Sequence, residues 1–119
     1  MRFITDVPVN DFIALLKVTA CLIGNSSAGI KECSYLGTPV VNTGGRQQGR
    51  LHADNVVHVA YDPEEICRAV TAQVHHGRYA ASLIYHQANT SQTIVDLLAG
   101  IELYTQKRFC DNAEASSPW

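Results

Sequence analysis

The stretch Leu22-Ile23-Gly24-Asn25-Ser26-Ser27-Ala28-Gly29 passes from an apolar run through a small-residue turn into a helix start, and it constrains the chain more than any other segment. Ala20-Cys21-Leu22-Ile23 is a short continuous apolar run, the pattern of a strand buried on both faces in a parallel sheet. Ser26 or Ser27 then caps a helix that runs to Leu36, with Gly37 at the C′ position. Six of the eight glycines fall between Gly24 and Gly49. That is where the backbone is asked for turns and close approaches that a side chain would resist.

The rest of the chain alternates in the same way. Asp11 to Val18 reads as a helix, with Phe12, Leu15 and Leu16 on its apolar stripe, Pro8 just ahead and Asn10 as cap. Pro39-Val40-Val41-Asn42 and Asn55-Val56-Val57-His58-Val59 read as further buried strands, and Arg2-Phe3-Ile4 as a weak one. Asp62 as N-cap and Pro63 at the first helical position open a helix through His76, closed by Gly77, with Ile66, Val70 and Val74 as its buried stripe. A last helix is expected from about Ser91 through Ile101, aligning Ile94, Leu98 and Ile101 and continuing to Phe109. Together these predict the α/β class: a partial doubly wound, Rossmann-like parallel sheet, about half of the usual six strands. The domain is expected over residues 1–110, and the polar residues 111–119 as a frayed tail.

Composition narrows the functional classes. With 119 residues the chain has room for one domain, and 46% hydrophobic against 17% charged residues can fill a core, which excludes a disordered chain. A net charge of −2 disfavours a globally basic nucleic-acid binder. No apolar run reaches the ~20 residues of a membrane span, and the opening MRFITDVPVNDF has no apolar core of a secretory signal, so a cytoplasmic location is expected. Cys21, Cys33, Cys67 and Cys110 stand 12, 34 and 43 residues apart with no C-x-x-C, which gives no zinc or redox signature. All four are expected to be reduced.

Against this acidic background the segment from Gly24 to Arg50 is locally basic, with Lys31, Arg46 and Arg50 against Glu32. A positive patch beside a strand-to-helix turn suits a small anionic ligand. The turn's free N–H groups and the Ser26 and Ser27 hydroxyls are donors for phosphate, with Gly24, Asn25 and Gly29 shaping the loop around them. Glu32 lies five residues beyond Ser27, about 7.5 Å along a helix axis at 1.5 Å per residue, a span that reaches from phosphates to a ribose diol. The plainer alternative is a serine N-cap followed by a solvated Glu. Arg46, in Asn42-Thr43-Gly44-Gly45-Arg46-Gln47-Gln48-Gly49-Arg50, follows the end of a strand, where open α/β sheets bind ligands, and its guanidinium can fork onto phosphate. An exposed loop with solvated arginines is equally compatible with that spacing.

Other chemistries fail on spacing. After Gly24-x4-Gly29 the next residue is Ile30, so the Walker lysine is missing. Ala28 replaces the second glycine of a nucleophile elbow around Ser26, and Asp62 with His75 or His86 has no hydrolase spacing. His52, His58 and His86 have no metal-ligand spacing, and Tyr35, Tyr61, Tyr79 and Tyr85 read as core or rim aromatics.

Ile23-Gly24-Asn25-Ser26-Ser27-Ala28-Gly29-Ile30-Lys31-Glu32, Leu36-Gly37-Thr38-Pro39-Val40-Val41-Asn42 and Arg46-Gln47-x-Gly49-Arg50, taken in order, closely resemble the UDP-N-acetylglucosamine 2-epimerases, from about Phe3 to Phe109. The resemblance implies two Rossmann-like domains in the GT-B arrangement with a UDP-sugar between them, this chain being the latter part of the second domain. It implies that Ser26 and Ser27 hold the UDP phosphates, that Glu32 bonds the ribose, and that Arg46 lies near the nucleotide; Gly24, Asn25 and Gly29 complete the expected UDP-binding set. The implied activity is inversion at sugar carbon 2 through UDP elimination, followed by UDP re-addition or by hydrolysis to N-acetylmannosamine, with no cofactor or metal. The acid and base groups are implied to lie upstream, so no catalytic residue is expected here. The chain departs from the family at Thr43, usually apolar, and at Tyr85-His86-Gln87-Ala88, usually Tyr-Gly-Asp-Gly. Expected partners are a UDP-sugar, the missing N-terminal domain and, in the full-length form, further copies of the chain. The competing class is a non-catalytic nucleotide-sugar-binding or interaction module.

Overall fold

In the computed structural model, which describes residues 2–102, three parallel strands form one sheet in the order β1 (Leu22–Gly24), β2 (Val40–Thr43), β3 (Val56–Val59). Leu22 pairs with Val40 and Val40 with Val56, while Gly24, Asn42 and His58 stand side by side at the carboxyl end. β2 is the central strand. Its consecutive residues Val40 and Val41 point to opposite faces and both are buried, so each face of the sheet is covered. Sheet class and parallel direction are those expected from the sequence.

The core is Leu16, Ile30, Cys33, Val40 and Val56, with Phe12, Ile13, Leu22 and Leu36 packed around it. It joins the sheet to α1 (Val9–Val18), α2 (Ser27–Ile30) and α3 (Glu32–Leu36). A fourth helix, α4 (Pro63–His76), packs on β2 and β3. The boundary between the two compact units of the chain falls after Gln87, and the second unit contains α5 (Thr90–Gly100), whose Thr93 N–H bonds the Asn89 carbonyl at 2.9 Å. The expected extension to Phe109, Cys110 and the tail 111–119 lie outside the described residues.

Several expectations are corrected. Arg2-Phe3-Ile4 is irregular, and Phe3 and Ile4 are exposed, since among the described residues no strand pairs with their backbone. α1 begins at Val9 instead of Asp11, capped by Pro8, whose carbonyl takes the Phe12 N–H at 2.9 Å; Asn10 lies inside the helix. Leu15 is 46% exposed, and Ile13 takes its place on the buried face. β1 begins at Leu22 and is not buried on both faces: as the sheet's edge it leaves Ile23 half exposed.

The helix expected from Ser26 to Leu36 breaks at Lys31 into α2 and α3. The buried Ser34 hydroxyl donates to the Ile30 carbonyl at 2.6 Å, and such back-bonding to the preceding turn bends or interrupts a helix.

α4 has the expected bounds. Asp62 accepts the Glu65 N–H at 2.7 Å, Pro63 occupies the first turn and Gly77 closes the end. Val74, expected in the buried stripe, is 49% exposed; the buried residue of the last turns is Gln73. Its Nε2 donates to the carbonyls of Val40 at 3.0 Å and Asn55 at 3.1 Å, and its Oε1 accepts from the Tyr79 hydroxyl at 2.7 Å.

Cys21, Cys33 and Cys67 are free thiols. Burial, and secondarily the Glu32 carboxylate, push the Cys33 thiol up to about 12, and burial also raises Cys21. Cys67 is exposed. Because the thiolate is the reactive form, iodoacetamide at pH 8 is expected to label Cys67 in the native chain and Cys33 only after denaturation, as read by peptide mass spectrometry. Native labelling of Cys33 as fast as Cys67 would contradict its place in the core.

Candidate functional site

The loops leaving the carboxyl ends of all three strands meet. β1 runs into Gly24 (φ 146°) and the turn Asn25-Ser26-Ser27; β2 runs into the loop Gly44–Arg50; β3 runs into Ala60 and Tyr61. The Gln47 side chain donates from Nε2 to the Asn25 carbonyl at 2.7 Å. Asn25 Nδ2 donates to the Tyr61 hydroxyl at 3.4 Å. The Tyr61 ring lies against Gly44, where a Cβ would come within 2.3 Å of it. Three segments separated in sequence are thereby fastened at the edge where open α/β sheets bind ligands.

Within the turn, the two serines have different roles. Ser26 Oγ accepts from the Ala28 N–H at 3.3 Å and the Ser26 carbonyl from the Gly29 N–H at 3.1 Å, so two of the N–H groups expected to be free for a phosphate are already bonded. Ser26 Oγ is thus the acceptor of an N-cap, which leaves its own O–H as a donor. Ser27 is half-buried, and no hydrogen bond among the described residues occupies its hydroxyl. Gly29 is buried, and a Cβ there would meet Val40 Cγ1 at 2.9 Å, so its missing side chain lets α2 lie close on the sheet. Arg46 is exposed on the loop that Gln47 ties to this turn.

Glu32 is exposed and opens α3 beyond the break, so a continuous helical rise from Ser27 does not set its position. It lines an open cleft of about 500 Å³ with Ile13, Lys17, Tyr35, Tyr85 and His86. His86 stacks on Tyr35 with ring centroids 5.0 Å apart, and the Tyr85 hydroxyl donates to the Leu51 carbonyl. The segment that departs from the family pattern therefore forms a wall of the Glu32 cleft and is fastened next to Arg50.

Sequence reasoning missed Gln47, Tyr61, Tyr85 and His86. Two of them carried a local signal: Gln47 lies in the Arg46-Gln47-x-Gly49-Arg50 motif, and Tyr61 stands between the end of a strand and a helix cap, a ligand-facing position in such sheets. Nearby, Asn42 Nδ2 lies 2.9 Å from His58 Nδ1, and desolvation, then the neighbouring His52, lower the His58 pKa. This favours a neutral ring that accepts from the Asn42 amide. Among the described residues no group of three His, Cys, Asp or Glu side chains is placed to hold a metal ion, and no helix is long and apolar enough to cross a membrane.

The family described as UDP-N-acetylglucosamine 2-epimerase matches residues 1–99. The UDP-N-acetylglucosamine 2-epimerase of Neisseria meningitidis is 29% identical over 106 residues, covering 84% of this chain and 28% of that protein. The UDP-N,N'-diacetylbacillosamine 2-epimerase (hydrolyzing) of Legionella pneumophila is 31% identical, covering 89% of this chain and 28% of that protein. A Campylobacter jejuni relative, GDP/UDP-N,N'-diacetylbacillosamine 2-epimerase (hydrolyzing), is 44% identical over 46 residues, 39% of this chain and 12% of its own length. The chain thus spans less than a third of the length of these relatives.

Proposed function

This chain belongs to the UDP-N-acetylglucosamine 2-epimerase family, and from that premise we propose that it is the UDP-holding part of such an enzyme. One observation carries the reading. Gly24 and Asn42 are register partners on adjacent parallel strands, so the turn bearing Ser27 and the loop bearing Arg46 open side by side. Ser27 supplies a hydroxyl donor to the phosphates and Arg46 a forked cation. Ser26 caps the turn through Oγ and donates its O–H to the phosphates beside Ser27. Glu32, in its aromatic-walled cleft, accepts the ribose hydroxyls, with Gly24, Asn25 and Gly29 shaping the turn. The remaining part of a GT-B enzyme, with the acid and base that invert carbon 2 of the sugar, belongs to the length of the relatives that this chain does not span. The words "hydrolyzing" in the names of the Legionella and Campylobacter relatives favour water over UDP as the group that adds after elimination.

Titration of the chain with UDP, followed by amide chemical shifts, tests this. Charge-assisted hydrogen bonds are worth about 1.5–3 kcal/mol, so Glu32→Ala is expected to weaken UDP roughly ten- to a hundred-fold and inorganic phosphate hardly at all, because phosphate has no ribose. Equal UDP affinity in Glu32→Ala would return Glu32 to a solvated helix residue. Shifts confined to regions away from Ser27 and Arg46 would remove the site altogether.

A further inference from the structure

Gln47 is only 3% exposed, yet it sits on a surface loop between exposed Arg46 and exposed Gln48. Its Nε2 bonds the Asn25 carbonyl at 2.7 Å, while its Oε1 is buried with no hydrogen-bond partner among the described residues. The orientation is forced by chemistry. A backbone carbonyl can only accept, so the amide must present its nitrogen to Asn25 and leave its oxygen over. Burying an unbonded carbonyl is unfavourable, and an apolar side chain of the same size would avoid that cost. A residue chosen for folding alone would be Leu or Met here. The amide is therefore retained for its single bond, which joins the loop of Arg46 to the turn of Ser27.

We propose that Gln47 is a positioning residue for a diphosphate ligand: its amide fixes the Gly44–Arg50 loop against the Asn25-Ser26-Ser27 turn, so that Arg46 and Ser27 reach the same anion. The rest of the edge supports one geometry. Tyr61 holds Asn25 from its side chain and occupies the space that Gly44 leaves open, so turn, loop and the segment after β3 close on one another. Gln47 supplies the contact in which the loop reaches the turn's own backbone, 22 residues away in sequence. Without it Arg46 still carries its charge but samples many positions, and the fixed geometry that makes forked phosphate contacts favourable is lost. This assignment rests on the UDP reading given above.

Gln47→Leu separates positioning from folding, because it keeps the volume, removes the orphaned acceptor and deletes the tie. The intact chain is titrated with UDP, uridine and inorganic phosphate, with thermal melting and amide hydrogen exchange recorded on the same samples. The expected result is a roughly tenfold loss of UDP affinity, unchanged uridine affinity, an unchanged melting temperature, and faster exchange across Gly45–Arg50. Gln47→Glu, which cannot donate to the Asn25 carbonyl, is expected to reproduce the loss for UDP. Wild-type UDP affinity in Gln47→Leu overturns the assignment. So does a parallel loss for uridine with a lowered melting temperature, which would mark Gln47 as merely structural. Failure of the wild-type chain to bind UDP at all would instead overturn the UDP reading, and the positioning role with it.

Discussion

Gly37→Ala is expected to lower the melting temperature by about 15 °C or more, a loss of roughly 3 kcal/mol for a domain of this size. Gly37 ends α3 at φ 65°, in the left-handed region, where a Cβ alone costs roughly 1–2 kcal/mol. The larger obstacle is the Tyr79 carbonyl, which would lie 2.1 Å from that Cβ. This is backbone and cannot swing aside. It is held because the Tyr79 N–H bonds the Gly37 carbonyl at 2.9 Å and the Ser82 N–H bonds that of Ser34 at 2.9 Å. Relieving the clash means peeling the segment after α4 away from α3. Gly45→Ala is the control, since its Cβ meets only the tip of Gln48 at 3.5 Å, and it is expected to melt with the wild type. A Gly37→Ala chain that melts within a few degrees of wild type would show that the 77–82 segment is not held against α3.

Gln73→Leu is expected to lower stability by about 2–3 kcal/mol even though it fills the same space, and Gln73→Ala by somewhat more through the added cavity. Gln73 is 2% exposed and uses both ends of its amide, donating to Val40 and Asn55 and accepting from Tyr79. Leucine would remove one donor from each of two buried carbonyls, of which that of Asn55 still accepts the Val40 N–H, and would strand the Tyr79 hydroxyl. Denaturant unfolding read by circular dichroism checks this. If Gln73→Leu proved as stable as wild type, packing alone would explain the residue. The contrast with Gln47→Leu is instructive: both glutamines are buried, but one is fully bonded and the other is half-bonded. The same substitution is therefore expected to destabilise the first and leave stability unchanged at the second, where the loss falls on the ligand.

Much of the fold was legible in the sequence because its signals are local. Asp62 and Pro63 mark the start of α4 and Gly77 its end, through a cap, a fixed φ and a residue free to leave the helix, none of which needs a distant neighbour. Gly37 marked the end of α3 for the same reason. The valine runs at 40–41 and 56–57 indicated strands, and the short connections between alternating elements implied that those strands are parallel. The small-residue turn at Gly24–Ser27 and the loop at Gly44–Arg50 were placed at strand ends, and the parallel register of β1 and β2 then opens them side by side.

What the sequence did not contain was the outcome of competition between partners far apart along the chain. The break at Lys31 follows from the buried Ser34 hydroxyl taking the Ile30 carbonyl, and whether that serine is buried depends on the sheet beneath it. Gln73 displaced Val74 from the inner face of α4 because two carbonyls, of Val40 in β2 and of Asn55 just before β3, present themselves there, which helical periodicity does not register. Glu32 faces a cleft walled by Tyr85 and His86, more than 50 residues later, and Gln47 and Tyr61 meet Asn25 across 22 and 36 residues. The sequence by itself determined the elements, their caps, the parallel sheet and the chemical character of the turn, because propensity and hydrophobic pattern act over a few residues. Which polar side chains are buried, and which of them tie the site together, was decided only in the tertiary structure, because a buried hydrogen bond is favourable only where folding brings its partner within reach.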